Sequence, residues 1–211
     1  METETHKDER KLLERAIMFN DAVYAIALTL MVLEIKLPEF ENTASIDMMG
    51  MQLQHMSPKF WAFLLSVILV GGNWISSVRI QQTMVRAKYN TLGYLVGYLI
   101  FISLMPFCCN MVGSYPDNAY SFIVFGVVMQ LMIVNAYFFV KHCIKEDLYH
   151  PKADMLEILK LQKIIPVMFL FICAVEASAF YNPKIAYALF LVYNLAPFVL
   201  TNSLRVKHEK E

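Results

Sequence analysis

Apolar residues fall in six long, nearly uninterrupted runs separated by short polar stretches, at about 15–37, 58–80, 90–112, 119–142, 158–181 and 184–204. Each reaches the roughly 20 mostly apolar residues that a helix needs to cross a bilayer. The spacing predicts an all-α, polytopic membrane protein of six spans. The fifth run begins amphipathically, with Glu157, Lys160 and Lys163 in its first turns. Residues 1–14 form a charged leader that runs into the first helix, and 205–211 form a polar tail, so 1–211 reads as one transmembrane domain. Pro38 is expected to end the first helix, because proline lacks a donor and disfavours helix before it. The loop that follows, 38–57, carries Glu39, Glu41 and Asp47, then Met48, Met49, Met51 and Met56, which suit a short helix on the membrane surface. Ser57-Pro58 opens the second span, with proline at a first helical position. Tyr115-Pro-Asp-Asn118 and Tyr181-Asn-Pro183 read as tight turns.

Composition agrees. The 211 residues are 58% hydrophobic and 17% charged, with a formal net charge of zero. A soluble chain of this length carries more charge. The positive charge is distributed unevenly, and its distribution predicts orientation. Of the 18 basic residues, 15 fall before the first span, between the second and third, between the fourth and fifth, or after the sixth. The other connections hold only Lys36, Lys59 and Lys184. The positive-inside rule then assigns both termini to the cytoplasm. No short apolar core followed by small residues marks a cleavable signal peptide.

Candidate enzymatic chemistry is sparse. Cys108, Cys109, Cys143 and Cys173 sit in or at the ends of spans without CxxC spacing, as packing residues do. The five histidines form no ligand spacing, and no phosphate loop, nucleophile elbow or dinucleotide fingerprint is present. The pattern predicts no enzyme, cofactor, resident metal or nucleic-acid partner. Val96-Gly97-Tyr98 echoes a carbonyl ion filter but lies inside a continuous span between Leu95 and Leu99. Gly93 and Gly97, at small-xxx-small spacing, fit helix packing instead.

Polar groups inside spans are costly in hydrocarbon, so they point to pairing or function. Glu176, Asn110, Gln130, Asn135 and Asn194 fit interhelical hydrogen bonding, with an ion or proton relay as the alternative for Glu176. The first span carries the densest set: Arg15, Asn20 and Asp21 at its leading end and Glu34 at its trailing end. At about 100° per residue, Leu30, Leu33 and Leu37 lie within roughly 40° of Ile26, and Thr29 lies about 60° off that stripe. Asp21 lies about 140° away, on a different face. If the Ile26 stripe faces an axis, Asp21 faces back into the protein, toward Trp74, Asn73, Ser76 or Ser77 of the second span. Arg15 shares the Ile26 direction near the cytoplasmic mouth; unpaired there it repels cations, so a cation path needs it tied to a carboxylate.

Arg15-x-x-x-Phe19-Asn20-Asp21, followed by Ala25-Ile-Ala-Leu-Thr-Leu-Met-Val-Leu-Glu-Ile35, resembles the first-helix signature of the transmembrane protein 175 family of potassium channels. Trp74, Asn90 and Pro106-Phe107 extend the resemblance to about residue 110. Two positions depart from the family pattern. Asn20 stands where serine is usual, and Trp74-Ile-Ser-Ser-Val78 has Ser77 where a histidine soon after the tryptophan is common. The resemblance implies a homotetramer in a bacterial cell membrane, with the first helix of each copy lining a central pore for monovalent cations. It maps the constriction and gate onto Ile26, Leu30 and Leu33, the pore-edge threonine onto Thr29, and the motif network onto Arg15, Phe19, Asn20, Asp21, Trp74 and Ser77. An aliphatic ring of this kind gates by dewetting and favours potassium over sodium modestly. Two other readings remain at this point: a non-conducting scaffold of the same fold, and a proton-coupled transporter using Asp21 and Glu176.

Overall fold

In a computed structural model the described residues, 4–35 and 46–201, form seven helices. They are α1 (Glu4–Leu33), α2 (Ile46–His55), α3 (Ser57–Gln82), α4 (Tyr89–Ser114), α5 (Ala119–Lys145), α6 (Met155–Tyr181) and α7 (Pro183–Thr201). Five of them (α1, α3, α4, α5 and α6) are long and apolar enough to cross a membrane. The amphipathic start of α6 does not disqualify it, because Glu157 accepts from Lys160 one turn on, at 2.7 Å. The charged leader is continuous with the first span in α1, and the methionine-rich segment forms α2, where Met48, Met51 and Leu53 are exposed. Leu37, Pro38, Glu39, Glu41 and the tail with Arg205, Lys207 and Lys210 lie outside the described residues, as do the side chains of Asp47, Met49 and Asn194.

Local chemistry sets the helix ends. Pro58 stands in the first turn of α3. Asn118 and Asp154 cap α5 and α6 by accepting from Tyr120 N at 3.0 Å and Leu156 N at 3.1 Å, which satisfies amides that have no intrahelical acceptor. Asn182 breaks the chain between α6 and α7 and accepts from Lys184 N at 3.0 Å. Pro106 and Pro166 lie inside α4 and α6; packed neighbours make this tolerable in a membrane helix.

Five helices pack as a closed ring, with the long α1 and the short α2 outside it. α3 touches α4, α4 touches α5, α5 touches α6, α6 touches α7 and α7 returns to α3. α1 lies against α3 and α4 only, on the outside of that ring. Close approaches are specific. Gly113 of α4 abuts Lys59 Cα of α3, where an added Cβ would fall 2.9 Å away. Gly126 of α5 leaves room for the Glu176 carboxyl of α6. Of the expected packing pair, only Gly97 meets a neighbour, the Asn135 amide of α5. Gly93, one turn earlier on nearly the same face, meets no neighbour within 4 Å.

One end of the bundle is tied by backbone bonds between three segments. Ala87 N donates to Glu9 O (3.1 Å), Val85 N to Leu148 O (3.0 Å) and His150 N to Thr83 O (2.7 Å). Met84 and Tyr149 form an isolated antiparallel bridge, and Asp147 takes a left-handed turn with φ 51°. Lys88 pairs with Glu146 at 2.6 Å, and this bond and charge hold the Glu146 carboxyl below its ordinary pKa. The start of α1, the α3–α4 joint and the α5–α6 joint therefore share one end, as an alternating set of spans requires.

Candidate functional site: the open face of the first helix

Position on the ring divides α1 into two faces. Leu13, Ala16, Asn20, Tyr24, Ala27 and Met31 are buried against α3 and α4. The opposite side is uncovered: Ile26 is 58% exposed, Leu30 45% and Leu33 64%. Arg15, Phe19 and Thr29 share that side. With about 100° per residue, the buried set centres roughly 120° from Ile26, so the outermost line runs through Thr29, with Leu33 about 40° and Ile26 about 60° from it and Leu30 nearer the buried edge. This is a run of large aliphatic side chains that the subunit itself leaves open. Thr29 Oγ1 donates to Ile26 O at 2.8 Å, which turns the hydroxyl along the helix and leaves its lone pairs outward. Arg15 lies at the tied end of the bundle and has no ion-pair partner among the described residues.

Behind this face, the motif residues bind α1 to α3. Trp74 Nε1 donates to Asp21 Oδ1 at 2.8 Å. Asn20, 1% exposed, donates to Ser77 Oγ at 3.4 Å, and Gln81 Nε2 donates to the same oxygen at 3.1 Å. The two departures from the family pattern thus face each other, the longer amide at 20 reaching toward the smaller side chain at 77. Asn73, another expected partner of Asp21, instead accepts from Tyr98 OH of α4 at 3.0 Å. Ser76 turns back on its own helix, donating to Gly72 O at 2.9 Å.

At the far end of α1, Glu34 accepts from Asn110 Nδ2 at 2.6 Å, and Ser114 Oγ donates to Asn110 Oδ1 at 2.9 Å. The sequence offers both residues as intramembrane polar groups but does not join them. Two carboxylates, Asp21 in the middle of α1 and Glu34 just past its far end, therefore bind it to the ring. Glu176 is held elsewhere: Gln130 Nε2 donates to its Oε2 at 2.7 Å between α5 and α6. Asp21 and Glu176 belong to separate helix pairs and share no hydrogen bond among those described. No group of three or more His, Cys, Asp and Glu among the described residues is placed to hold a metal ion.

The family model "Endosomal/lysosomal potassium channel TMEM175" matches residues 15–106, from Arg15 through α4. That stretch, just under half of the chain, resembles the TMEM175 family. A Chryseobacterium protein named as a potassium channel is 33% identical over 113 residues, covering 53% of this chain and 55% of that relative. A potassium channel of Chamaesiphon minutus is 27% identical over 144 residues, covering 66% and 70%. This chain thus spans little more than half the length of the first of these relatives. Its fold matches the crystal structure of a lysosomal potassium-selective channel TMEM175 homolog from Chamaesiphon minutus, with TM-score 0.80 over 92% of this chain and all of that one, at 20% identity. That likeness establishes the TMEM175 fold well beyond the matched first half, through α5, α6 and α7. The chain is a multi-pass membrane protein.

Proposed function

We propose that the protein is a potassium-preferring cation channel of the bacterial cell membrane. In this reading four copies surround a central pore, and α1 of each presents Ile26, Leu30 and Leu33 to the axis as constriction and gate, with Thr29 at its edge. α7 serves as the sixth span, and both termini are cytoplasmic. The observation that carries the reading is the placement of α1. It is the one long helix outside the ring, it is fixed there by Trp74–Asp21 at its middle and Asn110–Glu34 past its far end, and its free face is an aliphatic stripe.

Charge supports the orientation. The basic residues within 7–15, 79–88 and 141–163 gather at the tied end, whereas Lys59 and Lys184 stand at the other. The names of the relatives support potassium as the permeant ion. An aliphatic ring excludes ions when narrow because a dry constriction strips their hydration, and it passes them when it widens enough to wet. Arg15, near the cytoplasmic mouth, would pair with a carboxylate of a neighbouring copy.

The test is reconstitution of the purified protein in liposomes with a potassium flux assay. Wild type is expected to pass potassium, and Ile26→Asn, which wets the constriction, is expected to raise the flux. Absence of potassium flux in both proteins would overturn the proposal.

A further inference from the structure

The closed ring of α3 to α7 is not solid. It holds a partly open cavity of about 120 Å³, bordered on one side by Asn20 of α1. A single water needs roughly 10–15 Å³, and an apolar cavity of about 150 Å³ in another protein holds benzene. The space is therefore that of a small aromatic molecule rather than of one or two solvent molecules.

Its walls are mostly apolar, with Met129 and Ile133 of α5 and Leu161 and Ile165 of α6 among them. Two polar atoms on those walls are unsatisfied: Gln81 Oε1 and Asn135 Oδ1 are buried and have no hydrogen-bond partner. Gln81 is 3% exposed, and its amide nitrogen is committed to Ser77. Its oxygen is thus the end left over. Both orphaned atoms are acceptors. A buried polar group without a partner is costly, so its presence calls for a donor. None of the residues bordering the cavity is charged. An ion entering it would lose its hydration with no counter-charge to replace it.

We propose that this cavity is a binding site for a small neutral amphiphile: an apolar, ring-sized body carrying one hydroxyl or N–H donor. The body fills the space between α5 and α6, and the donor bonds the orphaned oxygen of Gln81 or of Asn135. The site lies inside each subunit, behind α1 and apart from its open face. Its existence does not depend on whether the protein conducts potassium, and its test uses no flux measurement.

The experiment titrates the purified protein in lipid nanodiscs with 4-fluorophenol and with 4-fluoroanisole, followed by fluorine NMR. The two probes share a fluorinated ring, but only the phenol has a donor. Protein-free nanodiscs subtract partition into lipid. Wild type is expected to bind 4-fluorophenol saturably and about tenfold more tightly than 4-fluoroanisole, as one added hydrogen bond allows. Ala136→Leu, on the cavity wall, fills the space and is expected to abolish saturable binding of both, with the folded state checked by gel filtration. Equal affinity for the two probes in wild type would overturn the proposal. So would the absence of saturable phenol binding, or phenol binding by folded Ala136→Leu that matches wild type.

Discussion

Removing the indole donor from Asp21 separates the two parts of the account, the tie and the face it aims. Trp74→Phe deletes Nε1–H and keeps most of the apolar ring, while Asp21→Ala deletes the acceptor. The bond is 2.8 Å and its acceptor is a carboxylate. Hydrogen bonds to charged groups contribute about 1.5–3 kcal/mol in water-soluble proteins. Two observations pull the figure down. Trp74 is 38% exposed, so Asp21 recovers some hydration when the indole is lost. Polar pairs measured inside a membrane protein average about 0.6 kcal/mol and reach only about 1.7, because the unfolded chain also finds partners. A coupling of about 1–1.5 kcal/mol follows, a factor of roughly 5–12 in the unfolding equilibrium. The assay is a double-mutant cycle of Asp21→Ala, Trp74→Phe and the pair, unfolded by SDS titration in mixed micelles. If the two single changes add within about 0.3–0.5 kcal/mol, they are independent, and the bond does not hold α1 to α3.

Other outcomes follow from the same contacts. Gly126→Ala places a methyl group on the Glu176 carboxyl and should destabilise by about 1–3 kcal/mol, as overpacking does; adding Glu176→Ala should restore most of the loss in the same SDS titration. Glu146 has a lowered folded-state pKa through the hydrogen bond and charge of Lys88, so its contribution is present above the ordinary glutamate range near ~4.3 and is lost as pH falls through the lower folded value. Thermal unfolding of Glu146→Gln should accordingly lose less stability than wild type across that acid window, and equal acid sensitivity would count against the pair. Arg15→Gln removes a cation from the proposed mouth; in liposomes it should change potassium flux more at low ionic strength than at high, where a charge is screened within about 10 Å at 0.1 M salt.

How far the sequence carried the reading depended on whether a feature was local. Helix spans, the tight turn ending at Asn118, and the division of α1 into two faces all rest on spacing within one segment. The angular argument that turned Asp21 away from Ile26 also named Trp74 among four candidates, and α3 presents that indole to it. Contacts between segments were less legible. Glu34 and Asn110 are 76 residues apart and have no shared motif, so only the ring geometry brings them together. Gly93 and Gly97 share one face of α4, yet only Gly97 meets a neighbour, Asn135, because a packing contact depends on how high along the helix the neighbouring side chain sits. The exclusion of α1 from the ring was not legible either, since hydropathy makes the five long helices equivalent.

The central claim is that the open side of α1 faces water in a pore rather than lipid. Single cysteines at Ile26, Leu30 and Leu33, in a protein whose four native cysteines are replaced, test it most directly. Each is reconstituted in liposomes and treated with a charged, membrane-impermeant thiol reagent during potassium flux. Leu170→Cys, on the exposed side of α6 at 66% exposure, serves as the lipid-facing comparison. The account predicts modification and a large change in flux at the three α1 positions and none at 170. Modification of Leu170→Cys alone, or of none of the four while flux persists, would contradict it.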